Sequence, residues 1–146
     1  MQLCTVTETV FSNQVIQKIE RPYGDIYLFE SYVVSEVKEG IIFGSAEFID
    51  TFTYLMDFYD GIKRQNHFVY ICNRCHSFSV KLIEWLEFEF MSSFMVGFAI
   101  VDDRPMALKG AELEKRFVPC NFDLFEDLPS AVEWAVQTQA IAKPNF

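Results

Sequence analysis

Positive charge is scarce in this chain. Its 146 residues hold 12 Lys and Arg against 21 Asp and Glu, a formal net charge of −9. Nucleic acid binding needs a cationic surface that releases counterions, so it is excluded as a function class. An anionic membrane surface is disfavoured by the same sign argument. No apolar run reaches membrane-spanning length. Residues 1–13 lack both a basic start and an apolar core, so no secretory signal is expected there. The chain is therefore expected to be cytoplasmic, with Cys4, Cys72, Cys75 and Cys120 as reduced thiols. It contains no P-loop, no His-Glu-x-x-His string and no Ser-His-Asp order. Internal repeats and low-complexity tracts are missing too.

What is abundant is core material. The hydrophobic fraction is 51% and 16 residues are Phe. A chain of this length suits one domain with a real core. That much Phe exceeds the need of one small core, which allows an apolar cavity or a subunit interface such as a homodimer.

The punctuation of the chain places the elements. Residues 1–13 read as a polar arm, with order starting near Gln14. Pro22-Tyr-Gly24 is a turn. Asp25 to Phe29 and Tyr32 to Val37 read as an antiparallel strand pair. An extended run, Ile41-Ile-Phe43, leads to a helix from Ser45, the expected N-cap, to Asp60-Gly61. Phe48, Phe52, Leu55, Met56 and Tyr59 form its apolar face. Phe68 to Cys72 is a strand, Val80 to Phe90 a helix, and Met95 to Val101 a central strand covered on both faces. Glu112 to Phe117 reads as helical, with a start as early as Met106. Asn121 to Phe125 is a last strand. Leu128, Val132, Ala135 and Val136 mark a closing helix, and residues 143–146 are a tail. Strands alternating with helices give right-handed βα units. The expected fold is α/β: one domain over residues 14–142, with a mixed, mostly parallel sheet of about five strands and flanking helices.

The loop Asn73-Arg-Cys-His-Ser-Phe-Ser79 follows a buried strand. In a parallel sheet that is the carboxyl edge, where ligands and switches sit. Cys72-Asn-Arg-Cys75-His76 matches the spacing of c-type haem attachment, but attachment needs export. A thioredoxin-like pair of Cys72 and Cys75 would belong on the first helical turn, and Cys75 lies ahead of it. Structural zinc would need a fourth ligand, and His67 stands at the wrong end of the strand. No metal and no cofactor is expected. Arg74, His76 and Lys81, with Arg104 and Lys109 after the next strand, gather positive charge at one edge. Arg74, Lys81, Arg104 and Lys109 are therefore candidates for an anion site.

Several strings together carry a resemblance. They are Gly24-Asp-Ile-Tyr-Leu-Phe29, Tyr32-Val-Val-Ser-Glu-Val37, Glu39-Gly-Ile-Ile-Phe43, the loop from Asn73 to Val80, Ala111-Glu-Leu-Glu-Lys115 and Ala131-Val-Glu-Trp-Ala135. Over Gln14 to Gln137 the chain resembles the bacterial STAS-like domains, the group of anti-sigma-factor antagonists and SpoIIAA-like proteins. The resemblance implies a SpoIIAA-like fold and a non-enzymatic regulatory module with a protein partner. It also implies a switch or partner loop at Asn73, Arg74, His76, Ser77 and Ser79. Switchable members carry a phosphorylated serine in an Asp-Ser-Ser-Gly-like loop. Here that Asp and Gly are missing, and Ser77 and Ser79 are the only hydroxyls in place. Two other functions stay open: a carrier of a small apolar or amphipathic ligand, and a thiol-redox enzyme using Cys72 and Cys75.

Overall fold

The computed structural model describes residues 5–61, 68–81, 84, 95–116 and 120–142. Three strands open the sheet as an antiparallel meander: β1 (Gln17–Arg21), β2 (Gly24–Leu28) and β3 (Tyr32–Val37). Gly24 is required by close approach. A Cβ there would overlap the Glu36 carbonyl oxygen and lie 2.8 Å from the Val37 Cα. The sequence reading had missed β1. Its string Gln-Lys-Ile-Glu-Arg has a single apolar residue, Ile19, so it shows no clear alternation.

Parallel strands follow. β3 pairs with β5 (Phe68–Asn73), β5 with β7 (Met95–Val101), and β7 with β8 (Asn121–Phe125). The sheet order is β1-β2-β3-β5-β7-β8, six strands rather than about five. Every residue of β3 and β5 is buried, as a central strand covered on both faces demands. A second, two-stranded sheet pairs β4 (Ile42–Phe43) with β6 (Ser79–Val80) in parallel. Val80 is thus extended rather than the start of a helix. Most of the stretch expected to be helical after it lies outside the described residues.

Helix α1 (Ser45–Gly61) lies on one face. Phe48, Phe52, Leu55 and Tyr59 pack with Ile26, Leu28, Val33, Phe68, Tyr70, Cys72 and Phe98. The Tyr59 hydroxyl lies 2.9 and 2.8 Å from the carbonyls of Phe29 and Tyr32, which tethers the β2–β3 connection to α1. Ser45 is not the N-cap. The Gly44 carbonyl accepts the first helical bond from Phe48, so Gly44 caps, and Glu47 accepts from the Gly44 N–H at 2.7 Å. Ala111 of α2 (Ala107–Lys115) joins the same core, and the helix runs through Gly110.

Helix α3 (Leu128–Ala142) covers the other face. Leu128, Ala131, Val132 and Ala135 pack on Val34, Val69, Ile71, Ala99 and Val101, whereas Val136 is exposed. At Gly97 a Cβ would meet the Trp134 ring at 2.9 Å, so the glycine lets α3 approach β7.

Residues 1–13 were expected to form a polar arm. Over Thr5–Asn13 they belong to the folded unit. Two 3-10 turns, Val6–Glu8 and Val10–Gln14, run beside the α3 face. Val6 is fully buried there among Tyr27, Phe29, Tyr32 and Val34, with Phe11 and Val15 packed alongside. Three apolar side chains spaced too irregularly for a helix were enough to seat the segment.

Candidate functional site

The parallel strands β3, β5 and β7 end at Val37, Asn73 and Val101, so the connections that follow emerge at one edge of the sheet. The loop Arg74–Phe78 leaves β5 there. Its backbone is fastened on two sides. Arg74 N–H donates to the Val101 carbonyl at 2.9 Å, toward the β7 end. Gly40 N–H donates to the Ser77 carbonyl and Ser79 N–H to the Ile41 carbonyl, each at 2.9 Å, toward β4. The exposed side chains His76, Ser77 and Ser79 therefore stand on a fixed backbone.

The segment from Asp102 lies next to this loop, as the parallel topology required. Arg104 Nη2 donates to the Arg74 carbonyl at 3.2 Å, and its Nε sits 2.9 Å from Asp102 Oδ1. Asp102 also accepts from the Arg104 backbone N–H.

Arg74 itself turns inward. Its guanidinium contacts Glu114 of α2 at 2.7 Å and lies 5.3 Å from the Phe78 ring centroid. Both side chains of the pair are largely withdrawn from water, at 14% and 6% exposure. The positive cluster expected at this edge is thus mostly neutralised: Arg74 by Glu114, Arg104 by Asp102, and Lys81 by Glu84 at 3.8 Å. Lys109 is exposed on α2, one turn or more from that pairing. Sequence order alone could place these cations together, but not their carboxylates.

Two carboxylates organise the edge: Glu36, which carries no motif, and Glu84, expected from the sequence only to mark the solvent side of a helix. Glu36, near the end of β3, is buried. Its Oε2 accepts from Val6 N–H at 2.8 Å and from Asn73 Nδ2 at 2.9 Å. Burial pushes its pKa up, and Asp25 adds to that. The two hydrogen bonds and the His76 ring act in the opposite sense without reversing it. Glu84 caps α1 from across the edge, accepting from Ser45 N–H and Ser45 Oγ at 2.5 and 2.7 Å. Those bonds hold its pKa below the ordinary carboxylate range. The sequence did carry a signal for each buried acid. Glu36 sits inside a strand whose other residues, Ser35 apart, are apolar. Glu114 falls three residues after Ala111, on the buried stripe of α2.

The raised Glu36 pKa has a measurable sign. A carboxyl that protonates more readily when folded contributes most to stability below its ordinary value of 4.5. That contribution is lost as pH rises through the raised value. Wild type should therefore lose stability relative to Glu36→Gln as pH climbs from the unfolded-state value toward neutrality. Urea midpoints of the two proteins across that range check it. Parallel curves would mean that burial does not control this group.

The thiols are quiet. Alternation along β5 puts Phe68, Tyr70 and Cys72 on the α1 face, and Val69 and Ile71 on the α3 face. Cys72 is buried, Cys75 is partly exposed, and both are free. Burial raises the Cys72 thiol pKa, and the nearby Arg74 charge only moderates it. Cys75 and Cys120 are each pushed up to about 12 by burial. Nucleophilic thiols need the opposite shift.

A small cavity opens under the loop, lined in part by Val37, Phe43, Phe48, Tyr70 and Phe98. Its volume of ≈ 20 Å³ is on the scale of a single water. A ligand pocket runs to a few hundred Å³, roughly tenfold larger or more.

No family model matches the chain, and no curated protein matches it. A solved structure does: an uncharacterised protein from the DUF3478 family of Shewanella loihica PV-4, described as having a SpoIIAA-like fold. The match covers 82% of this chain and 90% of that one, at 15% identity and a TM-score of 0.53. The fold here is SpoIIAA-like. A six-stranded mixed sheet with α1 and α2 on one face and α3 on the other is this chain's version of it. Among the described residues no helix of this SpoIIAA-like domain is long and apolar enough to cross a membrane.

Proposed function

We propose that the protein is a non-enzymatic interaction module of the STAS-like type. Its partner surface is the carboxyl edge, built from Arg74 to Ser79 and from Asp103 to Lys109; Asn73, expected in the partner loop, is buried against Glu36 and drops out of it. The observation that carries this reading is the fixed backbone of the Arg74–Phe78 loop with its outward side chains. A loop already ordered loses little conformational entropy when a partner docks. His76, Ser77 and Ser79 offer hydrogen bonds, and Met106, 67% exposed, adds an apolar contact on the neighbouring segment. The paired charges favour recognition by shape and hydrogen bonding over capture of a free anion. The quiet thiols and the small cavity lend no support to a redox enzyme or to a carrier using that cavity.

A photo-crosslinking residue at Ser77, in protein expressed in its own host, should capture the partner for identification. With that partner purified, His76→Ala with Ser77→Ala should weaken binding by roughly tenfold, as truncation of central interface contacts does. Thermal stability should stay unchanged, because neither side chain is buried. A partner that binds the double variant as tightly as wild type would move the interface elsewhere.

A further inference from the structure

Strand β1 stands at the rim of the sheet. It pairs with β2 on one side, and among the described residues nothing pairs with the other. Exposed strand edges invite pairing with another chain, and proteins guard them with charge. The charges on this one have a particular arrangement. The strand reads Gln17-Lys18-Ile19-Glu20-Arg21. Turned antiparallel on itself about Ile19, it sets Lys18 against Glu20 of the copy and Glu20 against Lys18 of the copy. Gln17 meets Arg21, and Ile19 meets Ile19. A parallel copy in register would set Lys18 on Lys18 and Glu20 on Glu20. The edge therefore repels one orientation and accepts the other.

From this charge complementarity we infer that the protein forms a two-fold homodimer through β1, merging two six-stranded sheets into one. The occupant of the edge is a second copy of this chain. Lys18 and Glu20 project on the same side of the strand, where they lie 3.4 Å apart. With their counterparts they close a square of alternating charge. Both side chains are solvent-accessible, at 39% and 74%. Lys18 also lies 4.0 Å from Asp25 and over the Tyr27 ring, so it is held at the edge where the copy's Glu20 would meet it. The chain as a whole is strongly acidic, so two copies repel over most of their surface. The β1 edge is a place where they can meet because Lys18 and Glu20 face opposite charges of the copy, while Arg21 is already paired with Asp50. Pro22 follows directly and has no N–H to donate, so it ends the pairing at Arg21. An isologous contact of this kind closes on itself and does not grow into a fibre. Because the strands of the two copies run in opposite directions, the two carboxyl edges lie on opposite sides of the merged sheet.

Sedimentation of the full chain tests this through charge exchange. Wild type should be dimeric. Lys18→Glu and Glu20→Lys should each weaken the dimer by about tenfold or more, since each creates two like-charge pairs by symmetry. Combining Lys18→Glu with Glu20→Lys restores the complementarity across the two-fold and should recover most of the dimer, less what the lost Lys18–Asp25 pair contributes. Circular dichroism should show all three variants folded, because both sites are at the surface. A wild type that stays monomeric at its highest soluble concentration overturns the inference. So does a dimer indifferent to the single reversals, or one that the double exchange fails to rescue. None of these outcomes bears on the loops after β5 and β7, which β2 and β3 separate from β1.

Discussion

Arg74→Ala should lower stability by about 3–5 kcal/mol, the usual result of removing one partner of a buried ion pair. The cost comes from what remains. Glu114 is 5% exposed and would be left with its charge and no guanidinium. Arg74 also rests against the Phe78 ring, so packing under the loop is lost with it. Glu114→Ala should cost a similar amount from the other side. Replacing both, Arg74→Met with Glu114→Leu, should cost far less than the two single losses combined, because no charge is then stranded. Chemical denaturation of wild type and the three variants compares these losses. A single-variant loss under about 1 kcal/mol, the range of exposed pairs, would show that the pair is solvated after all.

The second large effect concerns the aromatic column that crosses the α1 face. Phe52 of α1, Tyr70 of β5, Phe98 of β7 and Phe122 of β8 stand in a row. Their ring centroids are 6.1, 5.3 and 5.8 Å apart, and their planes lie within 13° of parallel at each step. Offset parallel rings at this spacing attract beyond their burial alone. Tyr70 and Phe98 are both buried with a ring on each side, and Phe98 has no hydroxyl to complicate its replacement. Phe98→Ala should cost about 3–5 kcal/mol, from lost transfer energy plus a cavity that rigid strands cannot close. Phe98→Leu should cost clearly less because it keeps most of the volume. Calorimetry of the two variants separates them. Equal losses would mean that the ring stack, not the filled space, is what the site needs.

The sequence showed what periodicity can show. Helix α1 was legible because Phe48, Phe52, Leu55 and Tyr59 keep one face for about three turns. Strands β3, β5 and β7 were legible as near-continuous apolar runs. Strand β1 was not, because an edge strand needs few apolar residues. The seating of Val6 was not, since one buried side chain in a polar stretch carries no period. At the candidate site, the sequence brought Arg74 and Arg104 to one edge through the parallel topology. It could not show that each would find a carboxylate, Glu114 and Asp102. Such pairings depend on the crossing of α2 over the sheet, a tertiary fact without a local signature. The capping of α1 by Glu84 has the same character: the acid and the helix start are far apart in the chain.

The mixed topology also sets an order of assembly. The β1–β2 and β2–β3 pairings join sequence neighbours, so this meander can close while the rest of the chain is still being made. The next partner of β3 is β5, which arrives only after the whole of α1. During that interval β3, whose six residues are all buried in the finished protein, is an open apolar edge. A nascent chain paused there is at its most vulnerable to pairing with a neighbour. The long crossover therefore defines the window in which a chaperone would be of most use.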